Sequence, residues 1–344
     1  MLRSFLIILA ILLAFLLLLL LTPLAERVGI TLYLWKSSYY QKVWEALDYQ
    51  YDVSPLGKKI VFAGEGEGGR DLYVLEISPR RIRRLTYSTG FEHEVRFLDE
   101  HILVASVLEE PRNPLSPLHL YLIDTRDGSS RRLTQGKSVY NQNPFPLSSH
   151  EVLFRRMDIE YTMKPWGMEV DGTNPQWYIM DTHSGNTLLL HTQNFYFDYA
   201  FLNAVWSDRR RLLETSIIGD RNDLFLRYLS SPLGTSSSVR SERMVRLARN
   251  GRDGVLSADE KCIYYLSDNR ATAVSDIMRL DLASRRVIKL LSRGRFVTSL
   301  RIRGAWLFFL EGSGTDVTLW RVDTQGKRLE KLLTPSQFAN PLGK

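Results

Sequence analysis

The sequence predicts an all-β fold, a six-bladed β-propeller, preceded by one N-terminal transmembrane helix. Two observations carry this. The chain opens on a long apolar run, and a unit of short strands recurs six times after residue 48. The 344 residues are 44% hydrophobic and 24% charged, an ordinary globular composition that excludes disorder. That length suits a closed all-β domain with a large core.

The apolar run, residues 5–21, is 17 residues long and extends to Ala25 with only Thr22 and Pro23 interrupting. A spanning helix needs about 20 apolar residues. A cleavable signal has a shorter apolar region and a small-x-small cleavage site. The run therefore predicts an uncleaved signal anchor over residues 1–25. Basic residues flank it on both sides, Arg3 before and Arg27, Lys36 and Lys42 after. The orientation expected is the usual one for such anchors, with the bulk of the chain on the extracytoplasmic, periplasmic side.

Residues 26–48 form a separate juxtamembrane segment. Leu32, Trp35, Tyr39, Val43, Ala46 and Leu47 recur at helical spacing, and Tyr33, Tyr40 and Trp44 add aromatic bulk suited to a headgroup layer. The segment either lies on the membrane or docks on the domain that follows.

Residues 49–344 hold the repeat. Its clearest copy begins with the turn Ser54-Pro55-Leu56-Gly57 and runs through three strands to Arg83-Arg84-Leu85-Thr86. A second copy ends in Arg131-Arg132-Leu133-Thr134, and four more follow with their last strands near residues 190, 248, 292 and 334. A further short strand leads into each turn, which makes four strands per unit. That number at this period is the mark of a propeller blade. One such sheet cannot bury both faces; six packed radially bury a continuous core. The turns at Asp124-Thr125, Asp181-Thr182 and Asp323-Thr324 occupy the same phase in their units. Aspartate there is expected to bond local backbone amides, with glycine supplying positive φ, rather than to hold a metal.

The repeat resembles that of the TolB-type, WD-repeat-like bacterial propellers. Residues 54–86 carry the resemblance best, 97–134 well, 252–334 fairly and 144–250 loosely. It implies the fold and says little of function. TolB itself has an α/β domain before its propeller, for which residues 26–48 are too few, so its partners are not carried over.

Catalytic and cofactor motifs are missing or misleading. Residues 64–69 match GxGxxG, but a strand rather than a helix follows, so no helix N-terminus meets a pyrophosphate. Neither a P-loop, a GxSxG elbow, an HExxH pair nor an EF-hand loop is present. No catalytic residue, cofactor or metal is expected, although histidines clustered around a propeller channel would make a metal site. The single cysteine, Cys262, reads as a buried strand residue. A net charge of +7 with no nucleic-acid-binding module predicts no nucleic-acid partner.

Surface loops remain. The segment 156–176 reads as the longest loop and concentrates Tyr161, Met163, Trp166 and Met168; Phe195 and Tyr196 lie in a nearby aromatic stretch. Aromatics and methionines on long loops are interface material. They are the partner-binding candidates, with self-packing on their own blade as the alternative. Residues 230–242 read as a flexible connection. The expected function is a non-catalytic, membrane-anchored protein-interaction scaffold or accessory subunit of an envelope complex. The alternative is a propeller enzyme or carbohydrate-binding protein with its site in the central channel.

Overall fold

The computed structural model describes residues 50–342 except 66–69, 88–89, 112, 114, 165–166, 194–199, 219–220, 270–273 and 313–315. The anchor expected at 1–25, the segment 26–48 and the residues Trp166, Phe195 and Tyr196 lie outside the described residues. Among those described, no helix is long and apolar enough to cross a membrane.

The described strands fall into six units of four, in chain order. Blade 1 holds β1 (Tyr51–Val53), β2 (Lys59–Glu65), β3 (Arg70–Glu76) and β4 (Arg81–Arg84). Blade 2 holds β5 (Phe91–Phe97), β6 (Ile102–Leu108), β7 (Leu118–Asp124) and β8 (Ser130–Arg132). Blade 3 holds β9 (Val139–Pro146), β10 (Glu151–Lys164), β11 (Gly167–Asp181) and β12 (Thr187–Gln193). Blade 4 holds β13 (Ala200–Val205), β14 (Arg211–Ile218), β15 (Arg221–Leu229) and β16 (Ser238–Ala248). Blade 5 holds β17 (Gly251–Leu256), β18 (Cys262–Asn269), β19 (Val274–Asp281) and β20 (Val287–Ser292). Blade 6 holds β21 (Val297–Arg303), β22 (Trp306–Glu311), β23 (Thr318–Asp323) and β24 (Leu329–Leu333). Within each blade, successive strands pair antiparallel.

The core sits between blades. Six clusters of buried apolar residues are found among the described residues, each shared by two neighbouring blades. Val61 and Leu72 of blade 1 pack with Phe97 and Leu103 of blade 2. At the closing seam, Tyr51, Ile60 and Phe62 of blade 1 pack with Phe308, Leu319 and Leu333 of blade 6. Each sheet thus buries both faces, which four strands alone could not do. Cys262 is buried among these residues, at the seam of blades 5 and 6.

Closure needs no strand exchange, since blades 1 and 6 are each built from contiguous chain. A short helix, α1 (Pro335–Ala339), follows β24 and inserts Phe338, which is 1% exposed, edge-on against Phe62 of blade 1. Sequence periodicity gives no sign of a helix this short. Thr334 and Gln337 cap it reciprocally.

The recurring sequence motifs hold neighbouring blades together. In the first two copies, the first arginine of Arg-Arg-Leu-Thr donates to the next blade's turn: Arg83 to the Thr125 carbonyl and Arg131 to the Thr182 carbonyl. The second arginine stays within its blade, Arg84 on Asp71 and Arg132 on Glu109 and His119. Burial and the Arg132 charge hold the His119 pKa below its ordinary value, so its Nε2 stays free to accept. The threonine hydroxyl accepts from the third strand's backbone, Thr86 from Leu72 and Thr134 from Leu120, each at 2.9 Å.

Blade 3 carries Leu188-Leu189-Leu190-His191 where blades 1 and 2 carry this motif, and its seam is made differently. The end of β12 leaves its own blade and pairs in parallel with β16, His191 opposite Ser238 and Gln193 opposite Arg240. Residues 238–242, expected as flexible connection, are therefore strand.

The segment 156–176 is also not a loop. Strands β10 and β11 continue through it as one long hairpin, in register from Asp158–Thr173 to Lys164–Gly167. Met157 and Ile159 alternate inward, each 9% exposed. The alternation of Met157, Ile159, Tyr161 and Met163 is a strand pattern; Lys164-Pro165, Gly172 and Asn174-Pro175 gave the segment the look of a loop.

Candidate functional site

Every blade sends its two kinds of connection to opposite ends of its strands. The turns after its first and third strands lie on one rim. The hairpins between its second and third strands, with the links to the next blade, lie on the other. The innermost strands enclose an axial channel between the rims.

The turn rim is closed by short side chains bonding their own backbone. Asp124 accepts from the Arg126 amide, Asp181 from Ser184, Asp281 from Ser284 and Asp323 from Lys327, at 2.7 to 2.8 Å. This is turn chemistry, as the spacing predicts. These bonds lower the carboxyl pKa values. The Arg126 guanidinium takes Asp124 down to about 2, and backbone amides lower Asp181, Asp281 and Asp323.

The hairpin rim presents large apolar side chains instead. Tyr87 is 75% exposed, Tyr161 60%, Phe296 42% and Ile218 40%. Tyr87 and Phe296 lie on links between blades, each under an arginine, Arg84 at 4.4 Å and Arg252 at 4.7 Å. Tyr161 and Ile218 lie on the hairpins of blades 3 and 4. Met163 and Met168 are placed opposite each other near the tip of the blade 3 hairpin. Tyr87, Ile218 and Phe296 were not singled out from sequence, since each stands alone there and only the ring gathers them on one rim.

The axial channel encloses a cavity of about 870 Å³. Its wall is built on bulges. In blades 2 to 6 the innermost strand slips register against the second strand at the same level, near Arg96, Asn143, Asn203, Asp253 and Ser299. Glu94, Asn143, Asp253 and Ser299 take φ between 43° and 57° there, which re-aims the backbone toward the axis.

Acidic side chains at these bulges staple one blade to the next. Glu94 accepts from the Asn143 amide, Asp253 from the Ser299 amide at 2.9 Å, and Asp52 from the Phe97 amide at 2.8 Å. Three arginines share this sector, Arg301 and Arg303 of blade 6 and Arg96 of blade 2. Arg301 and Arg303 both approach Asp52 Oδ1 at 3.5 Å. The facing sector, from blades 3 and 4, presents Phe145, Leu202 and Val205, with Asn143, Arg155 and Asn203 beside them.

Among the described side chains, no histidine lines the cavity. His119 is buried within blade 2, while His150 and His183 meet edge-on at 5.9 Å on the turn rim. Among the described residues, no group of three or more His, Cys, Asp or Glu side chains is arranged to hold a metal ion.

No family model matches the sequence. No curated protein matches it either. Solved structures do. TolB from Acinetobacter baumannii superposes with a TM-score of 0.56 at 16% identity, over 81% of this chain and 64% of that one. A putative TolB from Agrobacterium tumefaciens gives 0.53 at 15% identity, over 76% and 87%. An oligogalacturonate lyase in complex with manganese gives 0.51 at 12% identity, over 84% and 77%. This chain thus spans under two thirds of the Acinetobacter TolB, and the same architecture also carries an enzyme. At these identities the likeness speaks for fold alone. The strand order, the repeat and the superpositions agree that this chain folds as a TolB-like β-propeller.

Proposed function

We propose that this propeller is a protein-interaction scaffold, or an accessory subunit of an envelope complex, tethered by a helix over residues 1–25 with its bulk outside the cytoplasm. Its contact surface is the hairpin rim. The observation that carries this reading is the asymmetry of exposure. Tyr87, Tyr161, Ile218 and Phe296 are the kinds of side chain that anchor interfaces, and they stand out on one rim of the ring.

A photo-crosslinking residue placed at 161 or at 87 in the full chain, in native membranes, tests it. Discrete protein adducts are expected from both positions. None is expected from 183 or 284, which are exposed on the turn rim. Adducts of the same kind from both rims, or none from the hairpin rim, would overturn the reading. Mature protein beginning at Glu26 would overturn the anchor.

The second reading is an enzyme or carbohydrate-binding protein with its site in the channel. The axial cavity favours it, since about 870 Å³ is the size of a small-molecule site.

A further inference from the structure

The channel's charged groups divide by what they are already bonded to. The acids are committed to the frame. Glu94 takes the Asn143 amide and Nδ2 together with the Ser106 hydroxyl. Asp253 takes Arg252, Thr298 and the Ser299 amide. Asp52 spends Oδ2 on the Phe97 amide and shares Oδ1 between two arginines.

The arginines are less committed. Arg303 donates to the Val53 and Ile302 carbonyls. Arg301 donates to the Leu300 carbonyl, and its Nε reaches only Asp52 at 3.5 Å. Arg96 donates through one nitrogen to the Val95 carbonyl and, among the described residues, meets no carboxylate within ion-pair distance. Each guanidinium has five donors, so most of the Arg96 donors face the cavity.

Holding three guanidinium groups on one side of a narrow channel is unfavourable. Burial and the like charge of Arg301 bring the Arg96 pKa down to about 10. A ring selected for stability alone would place an apolar side chain there, as blades 3, 4 and 5 do with Phe145, Ala204 and Val255 at the same level. Guanidinium forks match planar or tetrahedral oxyanions. The facing wall offers Phe145, Leu202 and Val205 to an apolar body; of the polar side chains beside them, Asn143 donates to Glu94 and Asn203 to Thr215.

We propose that the axial cavity is a binding site for a small organic oxyanion, whose carboxylate or phosphate head meets Arg96, Arg301 and Arg303 and whose apolar body lies on Phe145, Leu202 and Val205. This site is independent of the hairpin rim, and either can fail without the other.

The test is the thermal midpoint of the full chain in detergent against increasing phenyl phosphate, phenylacetate, inorganic phosphate and benzyl alcohol. A ligand that binds only the folded state raises the midpoint in a saturable way. At least one of phenyl phosphate and phenylacetate is expected to do so, and which one identifies the head group. Inorganic phosphate is expected to act more weakly, and benzyl alcohol not at all. Arg96→Gln and, separately, Arg301→Gln are expected to weaken the response at least ten-fold. Arg96→Gln should leave the unliganded midpoint unchanged or higher, because a like-charge contact is relieved. Arg249→Gln, exposed on a turn, serves as the charge control and should keep the full response.

Absence of a saturable shift with both aromatic anions would overturn the proposal. So would a response that survives both channel substitutions, or one that Arg249→Gln removes equally. Inorganic phosphate binding as well as phenyl phosphate would overturn the role given to the apolar wall.

Discussion

The two rims of this ring are made by the same strands, and they use their residues in opposite ways. On the turn rim, aspartate and serine side chains fold back on their own amides, and arginines reach sideways to the next blade. Polar capacity is consumed there in holding the ring. On the hairpin rim, tyrosine, phenylalanine and isoleucine side chains remain exposed to water, Tyr87 and Phe296 with an arginine against one face of the ring. Among the described residues the first rim exposes only aliphatic side chains of this size, Leu56, Val287 and Leu329, and no tyrosine or phenylalanine. A propeller closed at one rim by short-range polar bonds can vary the other without loss of the fold. The conclusion is physical: substitutions should cost stability on the turn rim and binding on the hairpin rim.

The largest effect is expected where a turn touches its neighbour. Gly128 has φ of +78°, and a Cβ there would lie 2.2 Å from the Leu85 carbonyl oxygen of the preceding blade. Gly185 occupies the same turn position one blade on, with φ of +74° and no atom within 4 Å of a Cβ. Both pay the left-handed penalty of about 1–2 kcal/mol on becoming alanine. Only Gly128→Ala must also push two blades apart, for a total of about 3 kcal/mol or more. Urea unfolding followed by tryptophan fluorescence separates the two. Equal losses would show that the turn itself, and not its contact with the next blade, sets the stiffness of this rim.

Acid should loosen the same rim. A carboxyl whose folded pKa lies below its unfolded value of about 4 adds stability above pH 4. That contribution is lost as pH falls through the folded value, about 2 for Asp124. Asp181, Asp281 and Asp323 shift in the same direction. The thermal midpoint is therefore expected to drop between pH 4 and pH 2. The Asp124→Asn variant should start lower at neutral pH and show a shallower drop. A slope unchanged by the substitution would place the acid sensitivity elsewhere in the molecule.

The turn rim was legible in the sequence because its determinants are local. Asp and Thr followed closely by Gly make a turn regardless of what surrounds them, and the three copies that carry them share one phase. The blade 3 hairpin was misread because Pro165, Gly172 and Pro175 interrupt a strand pattern that tertiary pairing restores. The channel was not legible as a site. Asp52, Arg96 and Arg301 are far apart in the chain and share no motif. They share only a position two residues before the first turn of their blades, which aligning the six copies on that turn brings out. The exposed side chains of the hairpin rim were half legible. Tyr161 stood out by its company of methionines, whereas Tyr87 and Phe296 acquire meaning only when the ring sets them on one side.

The smallest effect on stability, and the sharpest division between the rims, is expected within a single strand. Ile159 and Tyr161 are two residues apart on β10 and point to the same face of the hairpin. Ile159 is 9% exposed and Tyr161 60%, so the strand emerges from the ring between them. Ile159→Ala removes buried methyl groups and should cost about 2–4 kcal/mol. Tyr161→Ala removes a side chain already in water, and its cost should stay within about 0.5 kcal/mol. If the hairpin rim is the contact surface, binding behaves in the reverse order. At a temperature where both variants are folded, Tyr161→Ala should weaken recovery of the crosslinked partner about ten-fold or more, as loss of an aromatic anchor does. Ile159→Ala should leave it near the unsubstituted level. A Tyr161→Ala variant that unfolds early while binding normally would mean the side chain packs on its own blade, and the two rims would then differ in shape without differing in role.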